Sequence, residues 1–160
     1  MSKQGLEAAK QPGEALPSFT SLENAASFYF AFRDDHLLIL TRITAEQNDF
    51  TADFSPGSLK QIEAWYFKLC ESNSFEGHKT NRATFERCLA MYFCEVVVRT
   101  FPNATWVVEE SVFSPGKYEL GVRKGLCTYM LTRFTDHYKE SNNKRRQSIY
   151  RLFNKYFGQP

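Results

Sequence analysis

Apolar residues recur at helical spacing in several separate stretches of this chain, and the polar stretches between them set the number of elements. Leu22, Ala25, Ala26, Tyr29, Phe32, His36, Leu40 and Ile43 return every three or four positions, the period of one helix face. Thr20 and Glu23 just before this run form a capping-box pattern, which satisfies free backbone donors of a first turn. A helix is therefore predicted over about 21–44, either continuous or broken near Asp34. The polar stretch "TAEQNDFTADFSPG" follows, and Ser58 with Gln61 repeats the capping pattern. It opens a helix to about Glu71, with Leu59, Ile62, Tyr66, Leu69 and Cys70 on one face and Trp65 beside them.

Residues 82–100 carry the strongest pattern. Phe85, Leu89, Tyr92 and Val96 form one stripe, Cys88, Met91 and Val98 the next, and Ala90, Phe93, Cys94 and Val97 cover the remainder. A helix that is apolar all round belongs at the centre of a core. Pro102 ends it, and "TWVVEESVFSPGKYELGVR" reads as two β-rich arms around Ser114-Pro115-Gly116-Lys117, where Pro and Gly suit the middle of a type II turn. Further helices are predicted near 127–139, from Cys127, Leu131, Phe134 and Tyr138, and near 143–157, from Ile149, Leu152, Phe153, Tyr156 and Phe157. The sum is an α+β domain, mainly helical, with about five helices and one antiparallel β-hairpin. Residues 1–17 hold two prolines, two glycines and no periodicity, which predicts a flexible leader before a single globular domain over 18–160.

Composition changes this picture in one respect. Aromatic residues make up 16% of the chain, with 15 Phe and 8 Tyr, a surplus that predicts a bulky core or an adhesive face. No run of eighteen apolar residues exists, so no transmembrane helix and no membrane partner are expected. The N-terminus lacks the apolar stretch of a signal peptide, which points to a cytoplasmic protein. Cys70, Cys88, Cys94 and Cys127 show no metal or redox spacing, and reduced core thiols are expected. His36, His78 and His137 are isolated, and Asp34-Asp35-His36 reads as a solvated helix turn. Neither a metal nor a cofactor is expected, and nucleophile and phosphate-loop motifs are absent.

Two carboxylates stand in apolar surroundings, Glu63 in "QIEAWYF" and Glu95 in "MYFCEVVVR". Arg99 follows Glu95 by four positions, the favourable order for a helical ion pair, so Glu63, Glu95 and Arg99 are read as a buried polar centre with structural pairing. The alternative is acid/base work by Glu63 and Glu95 as a hydrolase pair, which requires a shared cleft. The net charge of +2 is small, but from Lys139 onward six basic residues face one acid. The basic C-terminal helix, with Arg145, Arg146 and Arg151, is the candidate binding face, for an acidic protein partner or, less favoured, for nucleic acid.

The stretch "FERCLAMYFCEVVVRTFPNATW" resembles the "LGxYxGExxxR…W" core of a loose group of small bacterial domains of unknown function, some of them similar to immunity proteins of toxin systems. The matching residues are Phe85, Leu89, Ala90, Tyr92, Glu95, Val96, Arg99 and Trp106, with "SPGSLKQIEAWYF" similar to the helix preceding that core. Ala90 and Cys94 replace the two glycines of the pattern, and Asn103-Ala104-Thr105 its Gly-rich approach to the Trp. The resemblance implies a bacterial cytoplasmic α+β domain with Glu63, Glu95, Arg99 and both Trp residues in one structural centre, and no established catalytic role. The expected function is thus non-enzymatic protein binding, with a toxin as one partner class.

Overall fold

The computed structural model describes residues 16–134 and 147–158. Helix α1 spans Leu22–Thr44, α2 Ser58–Ser72 and α3 Arg82–Thr100; strands β1 (Ala104–Glu110), β2 (Tyr118–Lys124) and β3 (Cys127–Met130) follow, and α4 (Ser148–Tyr156) is last. Single 3-10 turns occupy Glu76–His78 and Leu131–Arg133. Among the described residues the fold is α+β, with four α-helices and one antiparallel sheet in the order β1-β2-β3.

Helix α3 is the central element that its all-round apolar pattern predicts. Phe85, Cys88, Leu89, Tyr92, Phe93, Cys94, Val96 and Val97 are fully buried. Asn81 starts the helix, its side chain accepting from the Thr84 N–H at 2.9 Å. Helix α1 packs along α3, β1 and β2 lie against both, and α2 and α4 pack on α3 and on each other. The larger core joins α2, α3 and α4, while Ala25, Tyr29, Met91, Tyr118 and Leu120 form a smaller one between α1 and the sheet.

The caps differ from the expected boxes. Ser21, not Thr20, caps α1, its Oγ accepting from the Asn24 N–H at 3.1 Å. Ser58 caps nothing: it is the first residue of α2, and its Oγ lies 2.6 Å from the Tyr92 hydroxyl. A hydroxyl placed against a buried tyrosine is better used there than on an exposed first turn. His36 is buried, its Nδ1 2.8 Å from the Phe32 carbonyl, while Asp34 and Asp35 are exposed, so only the two aspartates form a solvated turn.

The hairpin is present with an addition. Gly116 has φ +78°, and the Lys117 N–H bonds to the Ser114 carbonyl at 3.1 Å, as a type II turn requires. The helix expected over 127–139 is not helical in its first part: Cys127–Met130 is strand β3, paired with β2 from Lys124↔Cys127 to Gly121↔Met130. Gly125, at φ +58°, and Leu126 make the two-residue connection, and a glycine at positive φ in such a loop returns the chain as a strand. The rest of that prediction, from 135 to 139, lies outside the described residues, as do residues 143–146 of the last predicted helix and residues 1–15 of the predicted leader. The chain joins the fold already at Pro17, whose carbonyl accepts from the Tyr118 N–H at 3.4 Å, and at Ser18, which bridges Lys117.

Candidate functional site

Glu95 faces outward from α3 at the edge of the core. Its Oε1 accepts from Arg99 Nε and its Oε2 from the Trp106 indole N–H, both at 2.9 Å. The helix supplies one donor because residues four apart share a face. Strand β1 supplies the other because the chain reverses after Pro102 and lays Trp106 back along α3. Arg99 is not buried: its side chain is 54% exposed, with the guanidinium 3.7 Å from the centroid of the Phe54 ring. Arginine keeps its charged head wet while its planar face covers an aromatic ring. Phe54 in turn packs on Tyr92 at 4.9 Å, and its backbone is left-handed, φ 57°, a costly conformation for a bulky residue. Trp106 also receives the Arg33 guanidinium at 5.4 Å.

Glu63 stands elsewhere. It is 3% exposed on the inner face of α2, and its Oε1 accepts the Ser148 N–H, at the start of α4, at 3.1 Å. Its Oε2 is buried with no hydrogen-bond partner among the described residues. A carboxylate at a helix N-terminus is favoured by free N–H groups and by the dipole. Burial outweighs that help and the charge of Arg151, and pushes the Glu63 carboxyl up to about 7. The expected common centre of Glu63, Glu95, Arg99 and both Trp residues is therefore divided. Glu95, Arg99 and Trp106 meet, Glu63 serves α4, and Trp65 is a core residue packed on Phe50 and Phe85. Among the described residues the two carboxylates have different partners, Arg99 and Trp106 for Glu95 and the Ser148 N–H for Glu63.

Between the end of the sheet and α4 lies a groove of about 380 Å³. Tyr129 of β3 and Leu152 of α4 provide apolar lining, Arg133 stands on one side, and Ser148, Arg151, Lys155 and Tyr156 come from α4. Spacings of three, four and seven residues place that α4 set on one helix face. Tyr129 and Tyr156 are in contact, ring centroids 5.3 Å apart, and the Lys155 ammonium lies 5.3 Å from the Tyr156 centroid. Among the described residues that line the groove, three are cations and none is a carboxylate. Arg151 belongs to the expected basic face; Arg145 and Arg146 lie outside the described residues. Arg133 and Tyr129 were not legible as site residues, because only the β3 strand brings them to α4.

Of the remaining candidates His137 lies outside the described residues, and the others show no reactive arrangement among those described. The four cysteines are free thiols, and burial pushes the Cys88 thiol up to about 12 and the Cys94 thiol well above its ordinary value. Among the described residues no three His, Cys, Asp or Glu side chains converge on a metal-sized site, and no helix is long and apolar enough to cross a membrane.

Residues 18–157 match the family model described as uncharacterised protein YwmA. Over 124 residues, 78% of each chain, the sequence is 26% identical to the uncharacterized protein YwmA of Bacillus subtilis (strain 168). No solved structure matches the chain. The family supports the coarse expectation of a small bacterial domain of unknown function. With nearly the whole folded region covered by that one model, the chain belongs to the YwmA family.

Proposed function

We propose that this protein acts by binding another protein, and that the α4 groove receives an acidic segment of that partner. The observation that carries the reading is the lining of the groove by described residues: Arg133, Arg151 and Lys155 around Tyr129, Leu152 and Tyr156, with no carboxylate among those described. Cationic side chains around a concavity favour a ligand that carries negative charge. Tyr129 and Leu152 are buried beneath the groove, and the partly exposed Tyr156 ring supplies aromatic contact area of the kind that protein-binding surfaces use. Covering a toxin, as an immunity protein does, is one form such binding takes. Phe28 and Phe113 are exposed and supply further apolar area outside the groove.

The test is fluorescence anisotropy with labelled hexaglutamate, and with a single-stranded oligonucleotide of equal charge, at about 50 and 200 mM salt. Hexaglutamate is expected to bind, and replacing Arg133, Arg151 and Lys155 together by Ala to weaken it by about tenfold or more, as three partly exposed charge pairs imply. An absence of hexaglutamate binding at low salt overturns the reading. Much tighter binding of the oligonucleotide, with a steep salt dependence, replaces it with phosphate-backbone contact.

A further inference from the structure

Strand β1 forms one edge of the sheet, and little in its sequence blunts that edge. Its register with β2 runs without a bulge from Ala104↔Lys124 to Glu110↔Tyr118. The strand "ATWVVEE" holds no proline and no lysine, and its charges, Glu109 and Glu110, are confined to one end. Bulges, prolines and lysines are the devices by which edge strands avoid further pairing. The opposite edge differs, since β3 has only four residues and Ser18 bridges Lys117 on that side of β2. The ladder fixes where the free backbone groups of β1 point. The Ser111 N–H meets the Lys117 carbonyl at 2.7 Å, whereas the Tyr118 N–H turns the other way, to the Pro17 carbonyl at 3.4 Å. These directions alternate along an antiparallel pair, so Trp106, Val108 and Glu110 turn their N–H and C=O groups away from β2. Among the described residues no backbone group outside the strand bonds to them, and Trp106, Val107 and Val108 are partly exposed.

We propose that β1 pairs with β1 of a second copy of this chain, antiparallel about a two-fold axis at Val107, so that two three-stranded sheets become one. Strand addition of this kind is held by main-chain hydrogen bonds, and a two-fold contact uses the same surface on both copies. The strand is self-complementary in that register. With the axis at Val107, Trp106 faces Val108 of the second copy and Glu110 faces its Ala104, so residues whose backbone points to the edge meet one another and all seven strand residues pair. Charge selects the same arrangement. Glu109 stands opposite Thr105 of the second copy, whose own β2 neighbour is Arg123. A parallel, in-register pairing would instead set Glu109 against Glu109 and Glu110 against Glu110, which destabilises a sheet. Trp106 and Val108 pack towards α1, so alternation puts Val107 on the outer face, beside Gly121 and the Met130 sulfur. Two such apolar patches adjoin at the axis. This edge lies across the sheet from β3 and the α4 groove, so the proposal is independent of the groove reading.

The experiment is sedimentation of the full chain from about 1 to about 200 μM, a range in which a small interface assembles by mass action. It is paired with cross-linking of single-cysteine additions under a mild oxidant such as diamide. The natural protein is expected to pass from monomer to dimer across this range. Val107→Lys places two ammonium groups face to face at the axis and should raise the dissociation constant by about tenfold or more. Val107→Cys should cross-link well above the level of the natural protein, because facing residues at such a position have Cα atoms about 4.5 Å apart, within disulfide reach. Thr105→Cys should stay at the natural level, since its two copies are offset by four residues, about 13 Å along the strand. A chain that stays monomeric throughout overturns the proposal. So does a dimer that Val107→Lys leaves unweakened, that Val107→Cys does not cross-link, or that Thr105→Cys cross-links equally well.

Discussion

Glu95 is held by two donors of different kinds, and each is replaceable by a residue of similar shape. Trp106→Phe keeps much of the aromatic bulk but removes the indole N–H, leaving Glu95 Oε2 without its 2.9 Å partner. At a half-buried carboxylate this is expected to cost about 1–2 kcal/mol, read as a lower urea midpoint with an unchanged slope. An unchanged midpoint would show that water replaces the indole at no cost. The Arg99 ion pair follows from sequence alone, because four-residue spacing on a helix dictates it. The Trp106 bond does not, since it depends on how β1 folds back along α3. The left-handed backbone of Phe54, which puts its ring under Arg99, carries no local signal either: no glycine or asparagine marks the position.

At the scale of the element, the β2–β3 pairing depends on a glycine that sequence reading passed over. A Cβ on Gly121 would lie 2.4 Å from the Tyr129 carbonyl oxygen and 2.6 Å from the Met130 sulfur. The sulfur end can move, but the carbonyl belongs to the partner strand. Gly121→Ala is therefore expected to separate β2 from β3 locally, at a cost of about 2 kcal/mol or more, within the range for overpacking. Hydrogen exchange at the β3 amides should accelerate more than at α1. Similar loss across both elements would instead mark a global effect. The strand β3 itself was read as helix because Cys127, Leu131, Phe134 and Tyr138 return at helical spacing. The two-residue Gly125-Leu126 connection was the available contrary signal, since a positive-φ glycine between short apolar runs reverses a chain more readily than it starts a helix.

At the scale of the molecule, Glu63 ties pH to stability. Its carboxyl is raised from 4.5 to about 7 in the fold. Between those values the folded chain holds a proton that the unfolded chain has released, so its contribution is full at low pH and is lost as pH rises through about 7. Urea unfolding of the natural protein should therefore show stability falling from about pH 5 to pH 8 relative to Glu63→Gln, by about 1–3 kcal/mol after allowance for relaxation around the charge. Parallel curves for the two proteins would mean that Glu63 does not titrate in this range. By itself the sequence determined α1, α2, α3 and the first hairpin, because amphipathic period, Pro102 and the Ser114–Lys117 turn act within a few residues of one another. It also determined the Glu95–Arg99 pair, for the same reason. Only the tertiary structure decided that Glu63 meets the start of α4, 85 residues on, and that Arg133 stands opposite Arg151 and Lys155. Those meetings are set by how α2, α4 and the sheet end pack around α3, and burial and charge at a site depend on that packing rather than on spacing along the chain.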